Sequence, residues 1–467
     1  MEWRITNIME RKNAWKDYSE ADLKELEALC SSYQDFLSDC KTERECTSEV
    51  IKLAKEKGYI PIEDAIAAGK LLKTGDKIYA SCMSKSVILF NIGKKPLEEG
   101  LNILGAHIDS PRIDIKQNPL YEESGLAYFD THYYGGIKKY QWVTIPLAIH
   151  GVVVKKDGSK IEICIGENEN DPVFCITDLL IHLAGEQMDK KAAKVIEGEK
   201  LDLLIGSIPL NDEEKDAVKE NIIKILKNSY GIEEEDFMSA ELEIVPAGRA
   251  RELGLDRSMV ISYGQDDRVC AYTSLAAMLE MENVDKTSCC LLVDKEEIGS
   301  VGATGMQSRF FENAVAELVN LECSYSELKL KRCLKNSRML SSDVNAAYDP
   351  LFADAFEKKN SSYCGKGVVF SKFTGSRGKS GSNDANAEYL AVLRRIMDDN
   401  NVNYQMAELG KVDVGGGGTI AYILSLYGME VIDCGVAVLN MHAPWEITSK
   451  ADIYETKKCY VAFLKDA

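Results

Sequence analysis

Five separated stretches of this chain set an aspartate, glutamate or histidine beside an apolar run of strand length, and that recurrence constrains the fold more than any other feature. The most informative is Asp294-Lys295-Glu296-Glu297-Ile298-Gly299-Ser300, which follows Cys289-Cys290-Leu291-Leu292-Val293. Neighbouring side chains on an extended strand point in opposite directions, so a glutamate pair at a strand tip can divide its work, one carboxylate holding a metal while the other moves protons. Alone, such a pair is most often a solvated turn. Four further stretches of similar build make that explanation the weaker one.

The first of these is Asn102-Ile103-Leu104-Gly105-Ala106-His107-Ile108-Asp109-Ser110-Pro111, a buried-looking strand ending in His-x-Asp before a proline. Residues two apart share a face on an extended chain, so Asp109 is placed to orient His107 and raise its basicity. The others are Gly264-Gln265-Asp266-Asp267-Arg268 after Met259-Val260-Ile261-Ser262, Ser341-Ser342-Asp343 ahead of Val344-Asn345-Ala346, and Val436-Ala437-Val438-Leu439-Asn440-Met441-His442. Open α/β sheets gather their sites at strand ends. Two histidines, two aspartates and a Glu-Glu pair suit two zinc-like ions sharing one carboxylate.

These motifs resemble, in order, those of the aspartyl aminopeptidase and vacuolar aminopeptidase I family, and the similarity continues through Ser239-Ala240-Glu241-Leu242-Glu243 and Val245-Pro246-Ala247-Gly248. The resemblance implies an α/β, mixed-sheet two-zinc aminopeptidase catalytic domain with an inserted β-rich dimerisation domain. It implies two zinc ions per subunit, with cobalt or manganese as substitutes. Asp266 would bridge them, His107 and Asp343 would complete one site, and Glu297 and His442 the other. Glu296 would be the general base. The chemistry agrees: water held between two divalent ions yields hydroxide near neutral pH, and an adjacent unligated carboxylate can carry its proton to the leaving amine. Relatives of this kind assemble into tetrahedral dodecamers, which implies a homo-oligomer acting on peptides with a free N-terminus. Two other classes stay open, a catalytically idle scaffold, against which the intact Glu296 argues, and a carboxypeptidase or deacylase on a related two-metal fold.

At 467 residues, 45% hydrophobic and 28% charged, the chain exceeds what one core usually supports. Its expected division is a catalytic part over 1–115, a β-rich insert over 116–261, and a second catalytic part over 262–467. The formal charge of −19 argues against a nucleic-acid partner. Fourteen cysteines are scattered without a Cys-x-x-Cys pair, and Cys164, Cys289 and Cys290 sit in apolar runs, so buried reduced thiols are expected. Met1–Asn7 lacks the apolar core of a signal peptide, and no run approaches the roughly 20 residues needed to span a bilayer. Cytoplasmic residence, with no membrane partner, is the expectation.

Ser19 and Asp22 predict a capping box ahead of Leu23, Leu26, Cys30, Tyr33 and Leu37 at helical spacing, and a second helix is expected over 43–57. Trp142-Val143-Thr144-Ile145-Pro146-Leu147 and Gly151-Val152-Val153-Val154 read as strands, 219–227 as an amphipathic helix, and 310–321, 385–397 and 451–464 as helices covering the sheet. Gly378-Lys379-Ser380 is not a phosphate loop, because Phe373 stands where that motif needs glycine. Gly415-Gly416-Gly417-Gly418 is either a tight turn before a helix over 419–426 or a close approach to substrate. His182 lies in the apolar stretch Asp178-Leu179-Leu180-Ile181-His182-Leu183, where a hydrogen-bonded structural role is the plain reading. The resemblance adds contact with a transition state at a neighbouring subunit's site, and direct zinc ligation is a third possibility. Acid-preferring relatives carry a lysine on the strand after a Lys-Gly step. Here the aligned position is Ser371, with Lys372 one residue later, so Lys372 reaches a substrate carboxylate only if the strand bulges.

Overall fold

The computed structural model describes residues 12–210, 215–376 and 378–467. The stretch Met1–Asn7 therefore lies outside the described residues, as does Arg377 within the polar segment 374–383. The contacts divide the chain into two units. One comprises the residues up to Asp109 together with Ala250–Met441 and Glu446–Ala467, and the other Ser110–Arg249 with His442–Trp445.

The first unit is built on a nine-stranded sheet. Its order is Ile60–Pro61, Lys77–Cys82, Ser86–Asn91, Ser288–Val293, Asn102–His107, Arg338–Ser341, Glu430–Gly435, Val368–Ser371 and Tyr404–Met406. The four strands in the middle run parallel, with Val293 opposite His107, Gly105 opposite Ser341, and Ser341 opposite Asp433. Ser86–Asn91 and Val368–Ser371 border this group antiparallel, which makes the sheet mixed. Strands buried on both faces need apolar residues at every position. Accordingly Leu104, Ala106, Cys290 and Leu292 join a core with the helices Glu20–Asp39, Gln265–Glu280, Ala387–Asp399 and Lys450–Asp466. Ile103, Cys289, Leu291 and Val293 join the opposite core with Phe310–Glu322 and Glu327–Asn336.

The predicted capping box is present, with Ser19 and Asp22 bonding each other's backbone N–H groups, and Thr42 and Glu45 form a second one ahead of Glu43–Glu56. A smaller five-stranded sheet in this unit carries Met259–Ser262, Ala437–Leu439 and Glu446–Ser449.

The second unit contains a six-stranded antiparallel sheet in the order Lys160–Ile165, Leu147–Val154, Ala240–Pro246, Arg112–Glu123, Leu126–Tyr134 and Leu203–Gly206. The strand expected over 142–147 does not form. A 3-10 turn at Lys139–Gln141 and a loop precede Leu147, Trp142 is buried, and Pro146 has no N–H to give a ladder. The helix expected over 219–227 spans Ala217–Ile225 and passes into a π turn at Leu226–Tyr230. The helix expected over 419–426 shortens to Ala421–Ser425. All fourteen cysteines are free, as expected, but Cys164 is exposed, since alternation along Lys160–Ile165 turns it outward.

Candidate metal centre

His107 is the last residue of its strand and is almost wholly buried. Its Nδ1 lies 3.0 Å from the backbone carbonyl of Asp109 and 3.4 Å from that residue's Oδ1. With the proton on Nδ1 donated to that carbonyl, Nε2 presents its lone pair on the other side. Thus the nearer contact orienting the ring is the Asp109 backbone. The Asp109 carboxylate serves the glutamate pair, since Oδ1 accepts the N–H of Glu296 at 3.1 Å and Oδ2 that of Glu297 at 3.2 Å. Asp109 therefore ties the pair to the end of the histidine strand. The two glutamates do not lie on extended chain. They open a 3-10 turn, Glu296–Ile298, entered through Lys295 at φ +69° and left through Gly299 at φ +96°. The turn, not strand alternation, separates the two side chains.

The Nε2 atom of His107 lies 3.2 Å from Asp266 Oδ1, 4.0 Å from Asp343 Oδ1 and 4.0 Å from Glu296 Oε2. One ligand atom each from His107, Asp266 and Asp343 fall within 4.8 Å of one another, and so do those from His107, Glu296 and Glu297. Asp266 owes its place to its neighbours: its N–H donates to Glu446 Oε2 at 2.9 Å, and Gln265 beside it donates to the Glu446 and Val260 carbonyls. The Asp266–Asp267 peptide is cis. Gly264 precedes them at φ +65°, and a Cβ there would run into the buried Arg268 guanidinium, so any other residue strains the backbone and displaces that side chain. Likewise a Cβ on Gly435 would lie 2.0 Å from the Asp343 carbonyl.

The electrostatics are those of carboxylates crowded without a counter-ion. Burial, followed by the charges of Asp267 and Glu296, pushes Asp343 well above the usual carboxylate range. Burial pushes Asp267 up as well. For His107, burial opposes the charged ring, but the Asp109 and Asp266 carboxylates outweigh it and raise the imidazole well above its ordinary value. A divalent cation relieves all three, and imidazole nitrogen with carboxylate oxygens is a donor set that zinc takes.

His442 falls in the second unit, on the loop between Ala437–Leu439 and Glu446–Ser449, at φ +64°. Its Nδ1 lies 2.9 Å from the Gly136 carbonyl, which again leaves Nε2 as the available nitrogen. His182 occupies a 3-10 turn, Ile181–Leu183, that is exposed in the single chain. Ser371 is buried and accepts a hydrogen bond from Asn345 Nδ2 at 3.0 Å, while Lys372 is half exposed with its Nζ 3.8 Å from Asp384 Oδ1. The glycine run approaches another loop of the chain: Gly375 N donates to Gly417 O at 2.8 Å, and a Cβ on Gly416 would lie 2.1 Å from the Gly375 carbonyl.

Sequence reasoning gave no role to Asp267 or Glu446. Asp267 carried a signal in its adjacency to Asp266; Glu446 carried none, because its part depends on pairing between Met259–Ser262 and Glu446–Ser449.

An α/β sheet that brings histidine and carboxylates to the ends of its parallel strands is the layout of a metal-dependent hydrolase. A family model describing the aminopeptidase I zinc metalloproteases (M18) matches residues 36–464. The chain is 65% identical over 460 residues to a Clostridium acetobutylicum protein described as a probable M18 family aminopeptidase 1, covering 98% of this chain and 99% of that one. It is similar to the crystal structure of an M18-family aminopeptidase from Thermotoga maritima, with a TM-score of 0.93 at 46% identity, covering 98% of this chain and all of that one. Its fold is also that of the mApe1 dodecamer structure from S. cerevisiae, with a TM-score of 0.75 at 20% identity over 94% of this chain and 97% of that one. The chain belongs to the M18 family of zinc metallo-aminopeptidases, which are peptide hydrolases, as the motif resemblance implied.

Proposed function

We propose that this chain is a two-zinc aminopeptidase in which Asp266 bridges the ions, His107 and Asp343 complete one site, and Glu297 and His442 complete the other. The observation that carries the reading is the convergence on His107 Nε2 of carboxylate oxygens from three separate segments, at 3.2 to 4.0 Å. Bound zinc would acidify a shared water and polarise the scissile carbonyl. Glu296 takes the proton at its carboxylate and passes it to the leaving amine. Asp109, holding the N–H groups of Glu296 and Glu297 together, keeps base and ligand in fixed relation.

The first residue of the substrate is expected to be neutral, such as Leu or Met. Ser371, at the position where acid-preferring relatives hold a lysine, is uncharged and engaged with Asn345. Lys372 pairs instead with Asp384, which also accepts Lys379 at 3.1 Å. Leu179, Leu180, Ile181 and Leu183, all exposed around His182, supply an apolar surface for pairing of subunits, with a tetrahedral dodecamer as the assembly and His182 reaching a neighbour's transition state. No helix among the described residues is long and apolar enough to cross a membrane, in keeping with a cytoplasmic setting.

A panel of aminoacyl reporter substrates with zinc, cobalt or manganese tests this reading. Cleavage requiring a free α-amine and fastest for Leu or Met supports it. A requirement for a free carboxylate overturns the aminopeptidase assignment, and an Asp or Glu advantage that vanishes in Lys372→Ala overturns the preference.

A further inference from the structure

One layer beneath the candidate metal centre, three polar side chains stand in a row on a single face of the nine-stranded sheet. Ser341 and Asp433 are register partners on neighbouring parallel strands, and Asp433 and Ser371 are partners across the antiparallel pair beside them. Register partners project to the same side, with strands about 4.7–4.9 Å apart, so a hydroxyl flanks the carboxylate on either hand. Ser341 is 0% exposed, Asp433 3% and Ser371 4%. Neither Asp433 oxygen, nor Ser341 Oγ, has a hydrogen-bond partner among the described residues, and the buried Thr374 Oγ1 is in the same state. Ser371 Oγ is engaged on one side only, as acceptor from Asn345.

Native interiors pair their buried polar groups, and several left over in one row point to a ligand that satisfies them together. Burial pushes the Asp433 carboxyl up to about 7, with the nearby Thr419 side chain pulling it down. Held ionised, Asp433 is a buried charge that needs a positive partner. No Lys or Arg hydrogen bond to it is found among the described residues.

We propose that Ser341 and Asp433 form the centre of a site for a monovalent cation, sodium or potassium, separate from the zinc ligands. The donors are all hard oxygens, which suit alkali and alkaline-earth ions and not the nitrogen- and sulfur-seeking transition metals. One carboxylate brings one negative charge, so a monovalent ion leaves the buried site neutral, whereas a divalent ion leaves an uncompensated charge. The site also has a structural purpose. Two residues beyond Ser341 the chain reaches Asp343, and two beyond Ser341's partner Gly105 it reaches His107, so an ion held between Ser341 and Asp433 fastens the layer on which both rest.

The test is a melting experiment on the zinc-loaded protein at constant ionic strength, exchanging choline chloride for sodium or potassium chloride. A saturable rise in Tm of a few degrees is expected with the alkali ion, because an ion that binds only the folded state stabilises it by mass action. Asp433→Asn, close in shape but uncharged, should abolish the rise, and Ser341→Ala should move the half-saturating concentration up by about tenfold. The Ser341→Ala variant keeps the proposal testable if the Asp433→Asn variant does not fold. Crystals soaked in rubidium chloride should show an anomalous peak between Ser341 and Asp433. Equal Tm in choline and alkali chloride, an undiminished response in Ser341→Ala, or a water with no anomalous signal at that position would each overturn the site.

Discussion

Glu296 and Glu297 are adjacent in sequence yet are assigned different work, and the fold gives each a separate direction by placing them on a 3-10 turn. If Glu296 moves the proton while Glu297 ligates, Glu296→Gln should keep both zinc ions and lose activity by roughly a hundredfold or more. Metal analysis beside a rate assay checks this, and a fully active, metal-loaded variant contradicts it. A second residue-scale expectation concerns Asp452, buried in the first turn of the C-terminal helix, where it accepts the N–H groups of Gly365 and Gly367 at 2.7 Å each. Burial nonetheless outweighs those bonds and pushes the carboxyl up to about 7. The folded state thus holds a proton that the unfolded chain has released. Its contribution to stability is greatest below the ordinary aspartate range and is lost as pH rises toward about 7, by an amount on the order of 1–4 kcal/mol. Denaturant melts at pH 5 and pH 8 should show that loss in the native chain and a smaller one in Asp452→Asn. Most candidate ligands were legible because each sits where an apolar run stops. Asp433 was not: it lies inside such a run, in Glu430–Gly435, and only the register of its neighbours reveals its company.

Elements announced themselves where a local rule determines them and hid where a distant contact does. The capping box at Ser19 is a short-range exchange between two side chains and two N–H groups, and it appears where the sequence placed it. Ser19→Ala should cost about 1 kcal/mol, visible as a lower denaturation midpoint with unchanged m. By contrast, the apolar stretch 142–147 reads as a strand yet runs as loop up to Leu147, held by a bond from Thr144 N to the Ile176 carbonyl, far away in sequence. At the glycine run 415–418, which the sequence leaves between a tight turn and a close approach to substrate, two loops of the chain meet backbone to backbone. Gly416→Ala, at φ +125°, should therefore separate those loops and lower Tm, whereas Gly418→Ala, which meets nothing within 4 Å, should leave Tm near its native value.

At the scale of the molecule, α/β architecture follows from apolar runs alternating with helical periodicity, and this much was legible, whereas the mixed character of the large sheet was implied only by the motif resemblance. The strand order was not, since nothing local tells Ser288–Val293 to lie beside Asn102–His107. Light scattering should give a particle many times the mass of one chain, and a monomer at micromolar concentration would remove the dodecamer reading. Dialysis against a chelator should abolish activity and lower Tm, with both restored by zinc, because ligands crowded in the folded state gain most from the ion. The chain order of the large sheet carries one more consequence, for synthesis. Glu430–Gly435 fits between Arg338–Ser341 and Val368–Ser371, and the helix Lys450–Asp466 closes the core behind it. Until Glu430–Gly435 is made, Arg338–Ser341 and Val368–Ser371 each keep an unpaired edge, so the large sheet cannot be completed in chain order.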